Sequence, residues 1–133
     1  MTQEQKELLL KDLCARLPYG TLVYAQNADD WYDDEINTQV LSDVINEDYV
    51  VKPYLFPLSS MTEEQEEEFK NLYYRFHESA FIFNERFSYD RYSIKDIGFY
   101  PCYLQDWLNK NHFDYRGLIP MGLALDATGL NIY

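Results

Sequence analysis

Histidine and cysteine are both scarce here, with two of each in 133 residues. Cys14 and Cys102 lie far apart, so the chain has no disulfide framework of a small secreted domain. Each thiol is read as a small buried hydrophobe. Neither His77 nor His112 has a cysteine or carboxylate at ligand spacing, so no residue is assigned to a metal and no cofactor is expected. Cys102, His112 and Asp114 supply the residue types of a thiol nucleophile, base and orienter. No cationic neighbour or glycine-rich elbow stands beside Cys102 to activate it, so no catalytic residue is assigned. Long apolar runs are missing as well. Leu8-Leu9-Leu10 falls short of a signal-peptide core, and no stretch approaches the roughly 20 residues of a membrane span. These absences point to a cytoplasmic chain with reduced thiols and no membrane partner.

Apolar residues make up 47% of the chain and aromatics 17%, enough to bury one core without disulfides or metal, so residues 1–133 are read as one domain. The net charge of −12 is concentrated. Residues 1–27 hold three acids and three bases, and residues 69–133 hold seven of each. Between 28 and 68, thirteen acids face a single base, Lys52. Such a field repels nucleic-acid phosphate and anionic lipid, and it favours a basic protein partner. The candidate interaction surface is the acid-rich segment Asp29, Asp30, Trp31, Tyr32, Asp33, Asp34 and Glu35, read as a polar turn or loop. It lacks the glycine at the sixth position of an EF-hand loop, so its acids are read as solvated surface and not as a calcium site. Sixteen of the 23 aromatics lie from Phe69 onward. They are read mainly as core, with Tyr89, Tyr92 and Tyr100 as aromatics that face a partner.

Periodicity predicts an α+β fold, with three main helices at about 3–16, 62–77 and 102–111 packed on a small, mainly antiparallel sheet. Thr2 and Gln5 form a capping box for the first helix, and Leu9 or Leu10, Leu13, Cys14 and Leu17 follow at helical spacing. Ser60 and Glu63 are read as the box of the second, whose apolar face is Phe69, Leu72, Tyr73 and Phe76. Pro101 opens the third, with Leu104, Trp107 and Leu108 as its buried stripe, and His112 closes it, as a cation or through a ring N–H on the last carbonyls. Strands are expected at 21–25 and 38–45 and across 80–97, with a last short one at 123–125. Pro53 and Pro57 bracket Tyr54-Leu55-Phe56 as an edge strand or irregular crossing.

Three stretches, KDLCARLPYG at 11–20, KPYLFPLSSMTEE at 52–64 and DWLNKNHFDYRGLI at 106–119, cover about a third of the chain. On these the sequence resembles a family of small uncharacterised proteins of gut anaerobic bacteria. The resemblance implies a bacterial cytoplasmic setting. It carries no assigned activity and no functional residue. Pro120 and Met121 stand where the resembling proteins have a charged pair, and the segment between the first two stretches varies among them.

The function reading that follows is a non-enzymatic, acidic protein–protein interaction or accessory module. One alternative is a nucleic-acid-mimicking inhibitor of a nucleic-acid-binding protein. The other is a small enzyme or ligand-binding domain, which a deep pocket with a perturbed titratable group would favour.

Overall fold

The computed structural model describes residues 1–76 and 102–133. Helix α1 (Gln3–Arg16) starts at Thr2, where the expected box closes: Gln5 N–H donates to Thr2 Oγ1 at 3.1 Å and Thr2 N–H to Gln5 Oε1 at 2.9 Å. Its buried face is Leu9, Asp12, Leu13 and Arg16, a helical stripe that is half charged. Cys14 therefore points outward and is exposed, contrary to the buried thiol expected. A 3₁₀ turn over Leu17–Tyr19 follows, and Gly20, at φ 67°, takes the left-handed turn into the sheet.

Strands β1 (Leu22–Gln26) and β2 (Trp31–Glu35) form an antiparallel hairpin. The acid-rich segment, expected as a polar turn or loop, is thus a turn that passes into a strand from Trp31. Helix α2 (Thr38–Ile45) occupies the segment predicted as a second strand. Its loose alternation suggested a strand, but Val40 and Val44 fall one turn apart on the buried side. Asn37 Oδ1 also accepts the Val40 N–H at 3.0 Å, so tertiary burial and a cap override propensity.

Strand β3 (Val50–Pro57) is central, not an edge. It pairs antiparallel with β1 over Val50–Pro53, then in parallel with β5 (Leu125–Asp126) at Tyr54 and Leu55 and with β4 (Phe113–Asp114) at Phe56 and Pro57. The order is β2-β1-β3-β4, with β5 also on β3, so the sheet is mixed where a mainly antiparallel one was expected. The final strand begins at Leu125, because Leu123 and Ala124 turn into the core.

Helix α3 (Glu63–Phe76) is capped by Thr62 and Gln65, with Gln65 N–H donating to Thr62 Oγ1 and Thr62 N–H to Gln65 Oε1. The Ser60–Glu63 box is displaced because Ser60 Oγ–H donates to Pro57 O within a 3₁₀ turn. Helix α4 (Cys102–Lys110) carries the expected stripe of Leu104, Trp107 and Leu108. Four helices are therefore present among the described residues, against three expected. The strands placed across 80–97, with Tyr89, Tyr92 and Tyr100, lie outside the described residues.

Two apolar clusters hold these elements together. Leu9 and Leu13 of α1, Val40 and Val44 of α2 and the inner sheet residues Val23, Ala25, Val51 and Leu55 form one. Phe69 of α3, Leu104, Trp107 and Leu108 of α4 and Phe113 of β4 form the other. Trp107 lies 5.3 Å from Phe69 and 5.8 Å from Phe113, centroid to centroid, and its Nε1–H donates to Glu68 at 2.9 Å.

Candidate functional site

Alternation along β2 divides the candidate residues between two faces. Trp31, Asp33 and Glu35 register with Gln26, Tyr24 and Leu22 on the outer face of the sheet. Tyr32 and Asp34 register with the inward residues Ala25 and Val23. Asp29 and Asp30 sit in the preceding turn, where the Asn27 side chain accepts both of their N–H groups.

The hydrogen-bond parity of this hairpin explains several of the acids. Ile36 N–H donates to Thr21 O and Asn27 N–H to Asp30 O, so Val23–Asp34 and Ala25–Tyr32 are the pairs that exchange rungs. The N–H groups of Trp31, Asp33 and Glu35 consequently point away from β1. Asp30 accepts the Trp31 N–H at 2.8 Å and Asp34 accepts the Glu35 N–H at 2.8 Å. Two of three outward donors on this edge are thus occupied by neighbouring carboxylates, which blunts the edge against strand addition. Asp33 accepts a hydrogen bond from the Tyr54 hydroxyl at 3.0 Å, and burial with that carboxylate raises the phenol's pKa. Tyr32 turns inward, where its hydroxyl donates to the buried Asp43 at 2.6 Å. Burial first, then Asp43, pushes its pKa up.

Beside the exposed Gln26, Asp33 and Glu35, the outer face also leaves aromatic and apolar surface uncovered. Trp31 is 60% exposed and stacks on Tyr24 at 6.1 Å between centroids. Beside this pair a cleft of about 460 Å³ is lined by Tyr24, Gln26, Asn27, Ala28, Val50, Lys52 and Leu125. Val50 on its wall is 63% exposed. A second hollow, of about 690 Å³, runs along Glu63, Glu64, Glu67 and Glu68 of α3 to Trp107.

A polar cluster that sequence reasoning missed lies inside the fold. Arg16 is fully buried; its Nε–H donates to Asp12 Oδ2 at 2.8 Å and one NH2 donates to Phe113 O at 2.6 Å. Arg116 donates to the other Asp12 oxygen at 2.8 Å, and both guanidinium groups lie over the Tyr115 ring. Tyr115 in turn donates to Asn109 at 2.9 Å, and burial raises its pKa. Asp114 is buried beneath the Leu118 and Ile119 N–H groups. Burial raises its pKa and those two bonds oppose the shift. The available signal was that Asp12 and Arg16, four residues apart, continue the stripe of Leu9 and Leu13.

His112 was expected to meet the last carbonyls of α4 with its ring. Its backbone does close the helix, at φ 63°, with its N–H on Asn109 O. The ring instead lies 2.9 Å from Thr21 Oγ1 and stacks under Tyr133 at 3.7 Å. Burial first, and then the nearby Arg16 charge, lower its pKa to about 4, so the ring is neutral near pH 7. A hydroxyl beside a neutral imidazole has the elements of a nucleophile–base pair, but both groups serve the interior: Thr21 is fully buried and Tyr133 covers the ring. The Tyr133 hydroxyl accepts the Leu22 N–H at 2.8 Å and donates to Tyr54 O at 2.7 Å, bridging β1 and β3 just past their last pair, Val23–Pro53. Burial of that hydroxyl end raises its pKa to about 12.

Among the described residues no three His, Cys, Asp or Glu side chains are grouped to hold a metal ion, and no helix is long and apolar enough to cross a membrane. No family model, curated protein or solved structure matches the chain.

Proposed function

We propose that this protein is a non-enzymatic interaction module that engages a basic protein partner through the outer face of its sheet at β2. One observation carries the reading. Trp31 stands largely uncovered on an acidic strand, stacked on Tyr24 and flanked by Asp29, Asp30, Asp33 and Glu35, all exposed. An uncovered indole among carboxylates is suited to an Arg or Lys side chain, which gains the ring face and a counter-charge together. The carboxylate caps on the Trp31 and Glu35 N–H groups favour docking by side chains over addition of a strand.

The test compares the wild type with a variant carrying Asp29→Asn, Asp30→Asn, Asp33→Asn and Asp34→Asn, and with Trp31→Ala. Asparagine keeps the oxygen acceptors that cap the edge, so the fold is expected to melt unchanged. A partner recovered at low salt should associate more slowly with the four-Asn variant and with weaker salt dependence. Trp31→Ala should speed its dissociation. Equal association and equal salt dependence for all three proteins would refute the proposal.

A further inference from the structure

We infer, resting on the reading above, that the partner segment is extended and presents an Arg two residues from an aliphatic side chain, the Arg over Trp31 and the aliphatic group in the cleft beside Val50. The sheet register supplies the spacing. Trp31, Gln26 and Val50 form one row across β2, β1 and β3 on the outer face, and Asp33, Tyr24 and Lys52 form the next. The first row is uncharged, and along the second the charge runs from the Asp33 carboxylate on β2, through Tyr24, to the ammonium of Lys52 on β3. A cation is therefore drawn to the β2 side and repelled from the β3 side.

Adjacent strands lie about 4.8 Å apart, so the gap between Gln26 and Val50, both on the cleft wall, lies roughly 7 Å across the strands from Trp31. Residues i and i+2 of an extended chain project to one side about 6.7 Å apart, which matches that distance. The cleft, at about 460 Å³ with Tyr24, Val50 and Leu125 on its walls, has room for one aliphatic side chain. Arg is specified over Lys because its planar group stacks on an indole while still donating to a carboxylate such as Asp33. A nucleic acid meets the wrong sign of charge here, and a second copy of this chain would bring its own acidic segment against this one.

The probe is the capped peptide Ser-Arg-Ser-Leu-Ser, titrated into the ¹⁵N-labelled full chain and followed by the Trp31 indole and the Gln26 and Val50 amides. Leu→Ser in the peptide should weaken binding about fivefold, and Arg→Glu should abolish the shifts. Val50→Ser in the protein should remove the advantage of Leu and keep the dependence on Arg. If Arg is required but Leu gives no advantage, or its advantage survives Val50→Ser, this inference falls and the broader reading stands. If no Arg-dependent shift occurs at Trp31, both fall.

Discussion

Removing the Asp12 carboxylate tests the most demanding arrangement in this fold. Asp12 and Arg16 are both fully buried, and the single Asp12 carboxylate pairs with two guanidinium groups, at 2.8 Å each. Arg16 has one terminal nitrogen, NH1, without a hydrogen-bond partner among the described residues. Without Asp12, Arg16 keeps the Phe113 carbonyl as its one hydrogen-bond acceptor among the described residues. Breaking a buried pair by deleting one partner costs about 3–5 kcal/mol, because the remaining charge stays desolvated and uncompensated. That is a large share of the roughly 5–15 kcal/mol that stabilises a domain. Arg116 is partly exposed and can turn to solvent, so its loss adds little. Asp12→Ala should therefore lower stability in urea by about 4 kcal/mol, or the melting temperature by roughly 10–15 °C. The double variant Asp12→Leu with Arg16→Met should recover most of this, since an apolar pair of similar volume leaves no orphan charge. A loss below about 1 kcal/mol for Asp12→Ala, or a double variant no better than the single, would refute the argument and show that Arg16 reaches water.

The remaining predictions concern His112, Tyr133 and Trp107. His112 is held near pKa 4 against an ordinary 6.5, so its contribution is fully present above pH 6.5 and is lost as pH falls towards 4. Urea midpoints from pH 7.5 to 4 should fall by the equivalent of about 2–3 kcal/mol, and the fall should flatten in His112→Asn, whose side chain tolerates the positive φ. An identical pH profile for that variant would assign the acid sensitivity elsewhere. Tyr133→Phe removes the hydroxyl that joins Leu22 to Tyr54 and should cost about 1 kcal/mol, with faster amide exchange at Leu22. Unchanged exchange there would mean that water replaces the phenol at no cost. Trp107→Ala should cost about 3–5 kcal/mol by emptying the space between Phe69 and Phe113, whereas Trp107→Phe should lose only about 1–2 kcal/mol. Equal melting of the Trp107→Ala variant and the wild type would remove Trp107 from the core.

Local signals settled what depends on neighbours within one turn. Thr2 and Gln5 fixed the start of α1, Leu104 with Trp107 and Leu108 fixed the buried face of α4, and Gly20 and Pro18 marked the end of the first helix. The α+β class followed from such periodicities, because capping and amphipathic spacing act within a few residues. The concentration of charge between 28 and 68 was likewise plain from the sequence. Elements whose state depends on remote partners were not legible. Residues 38–45 alternate loosely as a strand would, yet they are helical because Asn37 caps them and Val40 and Val44 pack in the cluster with Leu9 and Leu13. Pro53 argued for an edge, yet β3 is central: its antiparallel ladder with β1 ends at Pro53 and parallel pairing takes over at Tyr54. The Asp12–Arg16–Arg116 link spans 104 residues of chain, and Thr21 meets His112 across 91. Sequence alone marked Asp29 to Glu35 as acidic surface. Only the tertiary structure divided it, because strand pairing decides which carboxylates cap the edge, which stand beside Trp31, and that Tyr32 turns inward.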